Sequence, residues 1–123
     1  MKQIQNVQIQ IPKYILLIIN NLFEIQKKVE SAEDDLNISR NLVKIIEVLE
    51  EQGLSFENPL GQNFNQTRTD LEATISGEGT ENLVVVDVLK PIIRAGNSHN
   101  SIVIQKGIVI VETSKEWFYE KKR

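Results

Sequence analysis

Apolar residues recur at every third or fourth position from residue 13 to about residue 30. Ile15, Ile18, Leu22, Ile25 and Val29 form one row, and Leu16, Ile19 and Phe23 form a second row beside it. That period belongs to an α-helix. On a helical wheel the two rows together span roughly 200°, about twice the apolar stripe of an ordinary surface helix. One neighbouring helix covers one row, so the second row calls for another partner. Pro12 suits the first turn, where a missing N–H costs no hydrogen bond.

A second helix is predicted from about Asp35 to Gln52. Ile38, Leu42, Ile45 and Leu49 follow a 4, 3, 4 spacing, with Ile46 alongside. This is the seam of a helical bundle. Ser31, Asp34 and Asp35 can cap its start, and Gly53 can end it. One unbroken helix over 13–52 is the alternative, because Ala32 and Leu36 continue the first row. The cap chemistry of SAEDD favours a hairpin.

After Gly53 the period changes. Leu71, Ala73 and Ile75 alternate with Glu72 and Thr74, the pattern of a half-buried strand. LVVVDVL at 83–89 and IVIQKGIVIV at 102–111 are dense in Val and Ile, whose branched side chains fit a pleated sheet better than a helix. PIIRAGNSHNS between them reads as a turn cluster, and SGEGTEN at 76–82 as a flexible turn. Residues 53–69 read as a loop anchored by Leu54, Phe56, Leu60 and Phe64. Residues 1–12 alternate at Val7, Ile9 and Ile11, as a short strand or an arm would. Trp117, Phe118 and Tyr119 close the chain as a core cap or as an exposed contact surface.

These elements predict an α+β protein. An N-terminal helical hairpin (1–53) forms a dimeric four-helix bundle, and a small C-terminal β domain with a tail (54–123) follows. The dimer contact is expected to use Leu16, Ile19, Phe23, Ile38, Leu42, Ile45 and Leu49. Each buried Leu or Ile there would contribute roughly 1.5–3 kcal/mol.

Composition narrows the function classes. A chain of 123 residues with a formal charge of −3 lacks the concentrated basic face that nucleic acid requires. It has no cysteine, so disulfides and thiolate chemistry are excluded. YILLII at 14–19 is too short to span a membrane and lacks a cleavage site after it. A cytoplasmic protein with no membrane contact is expected.

Candidate chemistry is sparse. His99, the single histidine, sits in the polar turn GNSHNS with no acidic residue within four positions. Glu33, Asp34 and Asp35 are consecutive, which on a helix points them in different directions. GEGTEN lacks the lysine and spacing of a phosphate loop. Asp87 interrupts an apolar strand and is the most unusual carboxylate; it is expected at an edge, or paired with Lys90, Arg94 or Lys106. These residues point to a binding protein, not an enzyme, with no cofactor and no metal.

Several stretches resemble the GrpE family, the nucleotide exchange factors of DnaK-type chaperones. ILLIINNL (15–22) is similar to the LLPVLDNL-like segment near the end of the family's long helix. LVKIIEVLEEQGL (42–54) resembles the short helix before its β domain, and GQNFNQT (61–67) its G-x-x-F-[DN]-P segment. VLKP (88–91), a turn and IVIQKGIVIV (102–111) resemble its closing strands. The pieces occur in the family's order over most of 14–112. Ile92 and Ile93 stand where the family has a Gly-aromatic pair, Gln105 for its Arg and Gly107 for its Ala. Thr69 and Asp70 stand for its His-Glu, and nearly all of the long helix is missing. The resemblance implies a homodimer whose β domain docks on a DnaK-type ATPase domain and promotes ADP release. By the same resemblance the contact surface comprises Phe64, Asn65, Arg94, Gln105 and Lys106. A dimeric adaptor without exchange activity, serving another protein, is the second implication.

Overall fold

The computed structural model describes residues 11–31, 38–97 and 99–114. The element order is α1 (Lys13–Glu30), α2 (Ile38–Glu51), β1 (Leu54–Glu57), β2 (Asn63–Phe64), β3 (Leu71–Ile75), β4 (Leu83–Lys90), β5 (Ile92–Gly96), β6 (Ser101–Gln105) and β7 (Gly107–Thr113). The strands make two sheets, one of order β1-β5-β6 and one of order β2-β4-β7-β3. All neighbours are antiparallel except β3 and β7, which run parallel.

This overturns the expected fold class. The described residues hold two helices against seven strands in two sheets, a mostly β chain and not a helical bundle with a small β appendage. Strands were hidden in segments rich in turn residues. LSFE and NF lie within the expected loop, and IIRAG lies within the expected turn cluster. The run 102–111 is two strands, broken at Lys106.

The helix period holds where residues are described. α1 ends at Glu30, and Ser31 is its C-cap, donating its N–H to the Lys27 carbonyl and its hydroxyl to the Lys28 carbonyl. A helix running unbroken through 31 is therefore excluded. The other expected caps, the arm at 1–10 and the aromatic tail lie outside the described residues. α2 ends at Glu51, and Gly53 just past it has the left-handed φ of 78° foreseen for the residue that stops the helix.

The core explains where the wide apolar face of α1 goes. Phe23 joins Leu71, Leu83, Val85, Val88, Ile92, Val109 and Val111 in one buried cluster, with Phe56, Phe64 and Ala73 packed against it. Its ring meets Phe56 edge-on, centroids 6.3 Å apart. Ile19 and Phe23 are thus buried within a single chain, as is Leu42 of α2, and Leu16 and Leu49 are half-buried. Assigning Leu16, Ile19 and Phe23 to a dimer contact is corrected accordingly: that row seats the helix within its own chain. Ile38 and Ile45 remain exposed.

Two polar contacts fix the same row of α1. Asn20 and Gln105 exchange amide hydrogen bonds of 3.0 and 2.9 Å, and Gln105 also donates to the Pro91 carbonyl. Seven residues on, the Lys27 ammonium donates to the Val88 carbonyl at 3.0 Å and lies over the Phe23 ring. Residues 20, 23 and 27 follow helical spacing, so one face of α1 reaches both sheets. No helix among the described residues is long and apolar enough to cross a membrane.

Candidate functional site

A chain of polar side chains links the two sheets. Arg68 donates from Nε and Nη2 to the two carboxylate oxygens of Asp70, at 3.0 and 2.8 Å. Its Nη1 reaches the Gln62 side chain and the Asn63 carbonyl. Arg94 on β5 donates to Glu57 on β1 and, at 3.3 Å, to Asp70. Gln62 in turn donates to Glu57 at 2.8 Å. The network therefore ties β1 and β5 of one sheet to the segment that leads into β3 of the other.

Local sequence explains how it forms. Arg68 and Asp70 are two apart in the bend that leads into β3, close enough for one guanidinium to meet the carboxylate with two hydrogen bonds. Glu57 and Arg94 come from neighbouring strands, two register positions apart, where Ser55 faces Arg94 and Glu57 faces Ile92. Two guanidinium groups meet two carboxylates, so the cluster is neutral. The Arg68 guanidinium, followed by Arg94, holds the Asp70 carboxyl below its usual range against the opposing effect of burial. The Gln62 amide, then Arg94, lowers Glu57 in the same way. Asp70 in turn raises Arg68.

Lowered folded-state values mean that the two carboxylates stabilise the fold above the ordinary carboxylate range, about pH 4. That stabilisation is lost as pH falls through the lowered values. Asp70→Asn is expected to cost about 1–2 kcal/mol at pH 7. It is also expected to flatten the loss of stability between pH 5 and pH 3, read from urea melts across that range.

The residues expected to bind a partner divide around this network. Phe64 is half-buried against the core. Asn65 is exposed and shapes its own turn, accepting from the Thr67 N–H at 2.9 Å and from the Thr67 hydroxyl. Arg94 is held by Glu57 and Asp70. Lys106 is exposed and adjoins the network, because the next residue, Gly107, donates its N–H to the Asp70 carbonyl at 2.9 Å. Arg94 belongs to the network and Lys106 adjoins it, whereas Phe64 lies opposite Leu83, where β4 meets the far end of β7. The side chain of Gln105 turns to Asn20 of α1.

The sequence reading missed Glu57, Gln62, Arg68 and Asp70 as a unit. The signal available was the R-x-D spacing in TRTD. Asp87 pairs with none of Lys90, Arg94 or Lys106; one of its oxygens accepts from the Val88 N–H. His99 is exposed, its N–H donating to Asn97. Among the described residues no three His, Cys, Asp or Glu stand close enough together to hold a metal ion.

The helices carry a second feature. An open groove of about 380 Å³ lies between α1 and α2, lined by Leu17, Ile18, Asn21, Leu22, Ile25 and Ile45. Leu17, Ile18, Ile25 and Ile45 are each about half exposed. Ile18, Leu22 and Ile25 belong to the first apolar row of α1 and Leu17 lies beside it; Leu22 is itself buried. Comparison with family models, with curated proteins and with solved structures finds no match to this chain.

Proposed function

We propose that this chain is a GrpE-like cochaperone that works by binding and not by catalysis. Two copies associate through the groove between α1 and α2, and the β body docks on the ATPase domain of a DnaK-type chaperone to promote ADP release. The observation that carries the reading is the groove. Four large apolar side chains stand half exposed on two helices whose Ile19, Phe23 and Leu42 are already buried. Exposed apolar surface of this kind marks a contact site between proteins. The chaperone as partner follows from the ordered resemblance of 14–112 to the GrpE family. The reading places the protein in the cytoplasm, without nucleic acid or membrane as partner.

Promoting release requires tighter binding to the open nucleotide cleft than to the closed one. Fluorescent ADP leaving a DnaK-type chaperone is expected to leave faster when the protein is added. An unchanged rate at saturating protein would overturn the exchange reading. Sedimentation velocity is expected to show a dimer that Ile18→Asp converts to a monomer; a wild-type monomer at micromolar concentration would remove the self-association.

One observation favours the adaptor reading. Of the five residues expected to touch the chaperone, Arg94 and Gln105 are engaged within the chain and Phe64 packs on the core. Asn65 and Lys106 are left with exposed side chains. A pull-down that recovers a different protein, with no chaperone, selects the adaptor.

A further inference from the structure

Strand β4 is irregular in a way that exposes apolar side chains. Its register with β7 shifts between Val85 and Asp87 and again between Val88 and Lys90, so Val86 and Leu89 are the extra residues of two bulges. Both are exposed. Bulges re-aim side chains and are enriched beside functional surfaces. The turn at 59–62 is fastened to the same strand, Gly61 donating to the Val85 carbonyl and Val85 to the Gln62 carbonyl. That turn leaves Leu60 more than half exposed.

Next to these residues lies a cleft of about 270 Å³ between the end of α1 and β4. It is lined by Lys27, Glu30, Ser31, Asn58, Leu60, Asp87 and Val88. Its charge is one-sided once internal contacts are assigned. The Lys27 ammonium is already held by the Val88 carbonyl and by Glu24. Glu30 and Asp87 have no cation within ion-pair distance among the described residues. Glu30 also stands in the last turn of α1, where the helix carbonyls add negative potential.

We propose that this surface binds an arginine-containing segment of a partner protein. The guanidinium meets Asp87 and Glu30, the arginine stem lies along Leu60, and apolar neighbours of the arginine cover Val86 and Leu89. Arginine suits the site because its planar head pairs with carboxylates through two hydrogen bonds while its stem stays on apolar surface. The inference holds whichever protein the chain serves, and its test uses no chaperone.

The probe is the peptide acetyl-Gly-Leu-Arg-Leu-Gly-amide, titrated into the full chain at low salt and followed by amide chemical shifts. Its control carries citrulline, the neutral isostere, in place of arginine. Saturable shifts are expected at Asn58, Leu60, Asp87 and Val88. Affinity is expected to fall about three- to fivefold with citrulline, the range of a solvent-exposed ion pair, and to weaken with salt. Asp87→Asn keeps an oxygen for the Val88 N–H, so its spectrum elsewhere should stay unchanged while the arginine preference drops. No saturable shift at several millimolar peptide, or equal response to arginine and citrulline peptides, overturns the proposal. Should Asp87→Asn disturb the fold, Glu30→Gln reads the same preference from the other side of the cleft, and its unchanged arginine preference would also count against it.

Discussion

Phe23→Ala is expected to destabilise the chain by about 3–5 kcal/mol, the usual cost of deleting a buried phenylalanine. The ring is fully enclosed in the cluster that draws on both sheets. Deleting it removes the edge-on contact with Phe56 and the support beneath the Lys27 ammonium, and it leaves a cavity between helix and sheet. Tyr14→Ala on the same helix is the comparison. Tyr14 is 62% exposed, so its loss is expected to stay within about 0.5 kcal/mol. Urea melts followed by circular dichroism read both. Similar small effects for the two variants would mean that α1 is not seated in the core.

Gly96→Ala is expected to cost about 2–5 kcal/mol, from backbone strain and steric overlap together. Gly96 closes β5 with φ at 122°, a conformation that L residues rarely adopt. A Cβ there would fall against the Asn100 carbonyl oxygen and 2.9 Å from the Ser101 Cα. These are backbone atoms of the turn into β6, so they cannot rotate aside. Gly53 separates the two contributions. It is also left-handed, at φ 78°, but a Cβ would meet nothing closer than 3.8 Å. Gly53→Ala is therefore expected to carry strain alone, about 1–2 kcal/mol. The difference between the two variants, read from the same melts, reports the collision in the β5–β6 turn together with the greater strain at φ 122°.

Both effects bear on what could be read from the chain. The helix period was legible because it needs only local spacing: α1 follows it, and so does α2 up to the turn at Gly53. The strands at 71–75 and 83–89 were legible from their alternation and branching. β5 was not, because IIRAG sits between Pro91 and a polar turn, and pairing with β1 and β6 decides its conformation. The direction of the Phe23 row was not legible either. Periodicity tells which residues share a face but not what covers it, and a sheet from the same chain covers this one. Among the described residues seven strands then outweigh two helices, which is why the expected bundle gave way to a β body.

The candidate site shows the same limit. Arg94 and Gln105 were singled out by resemblance, yet their side chains are engaged by Glu57, Asp70 and Asn20, which are 37, 24 and 85 positions away. Nothing local announces such pairs. Asp87 was recognisable as anomalous because a charge interrupts a run of valines. The bulge that turns it outward depends on the register with β7, which lies more than twenty positions along the chain.

On the proposed reading α1 and the β body form one cooperative unit, with one face of the helix seated and the other left for a partner. Native-state hydrogen exchange tests it most directly, on the amides of Ile19 to Phe23 in α1 and Val109 to Val111 in β7. The expected result is that both groups exchange through the same global opening, with protection that falls together as urea is added. Helix amides exchanging orders of magnitude faster than those of β7, through an opening insensitive to urea, would contradict it.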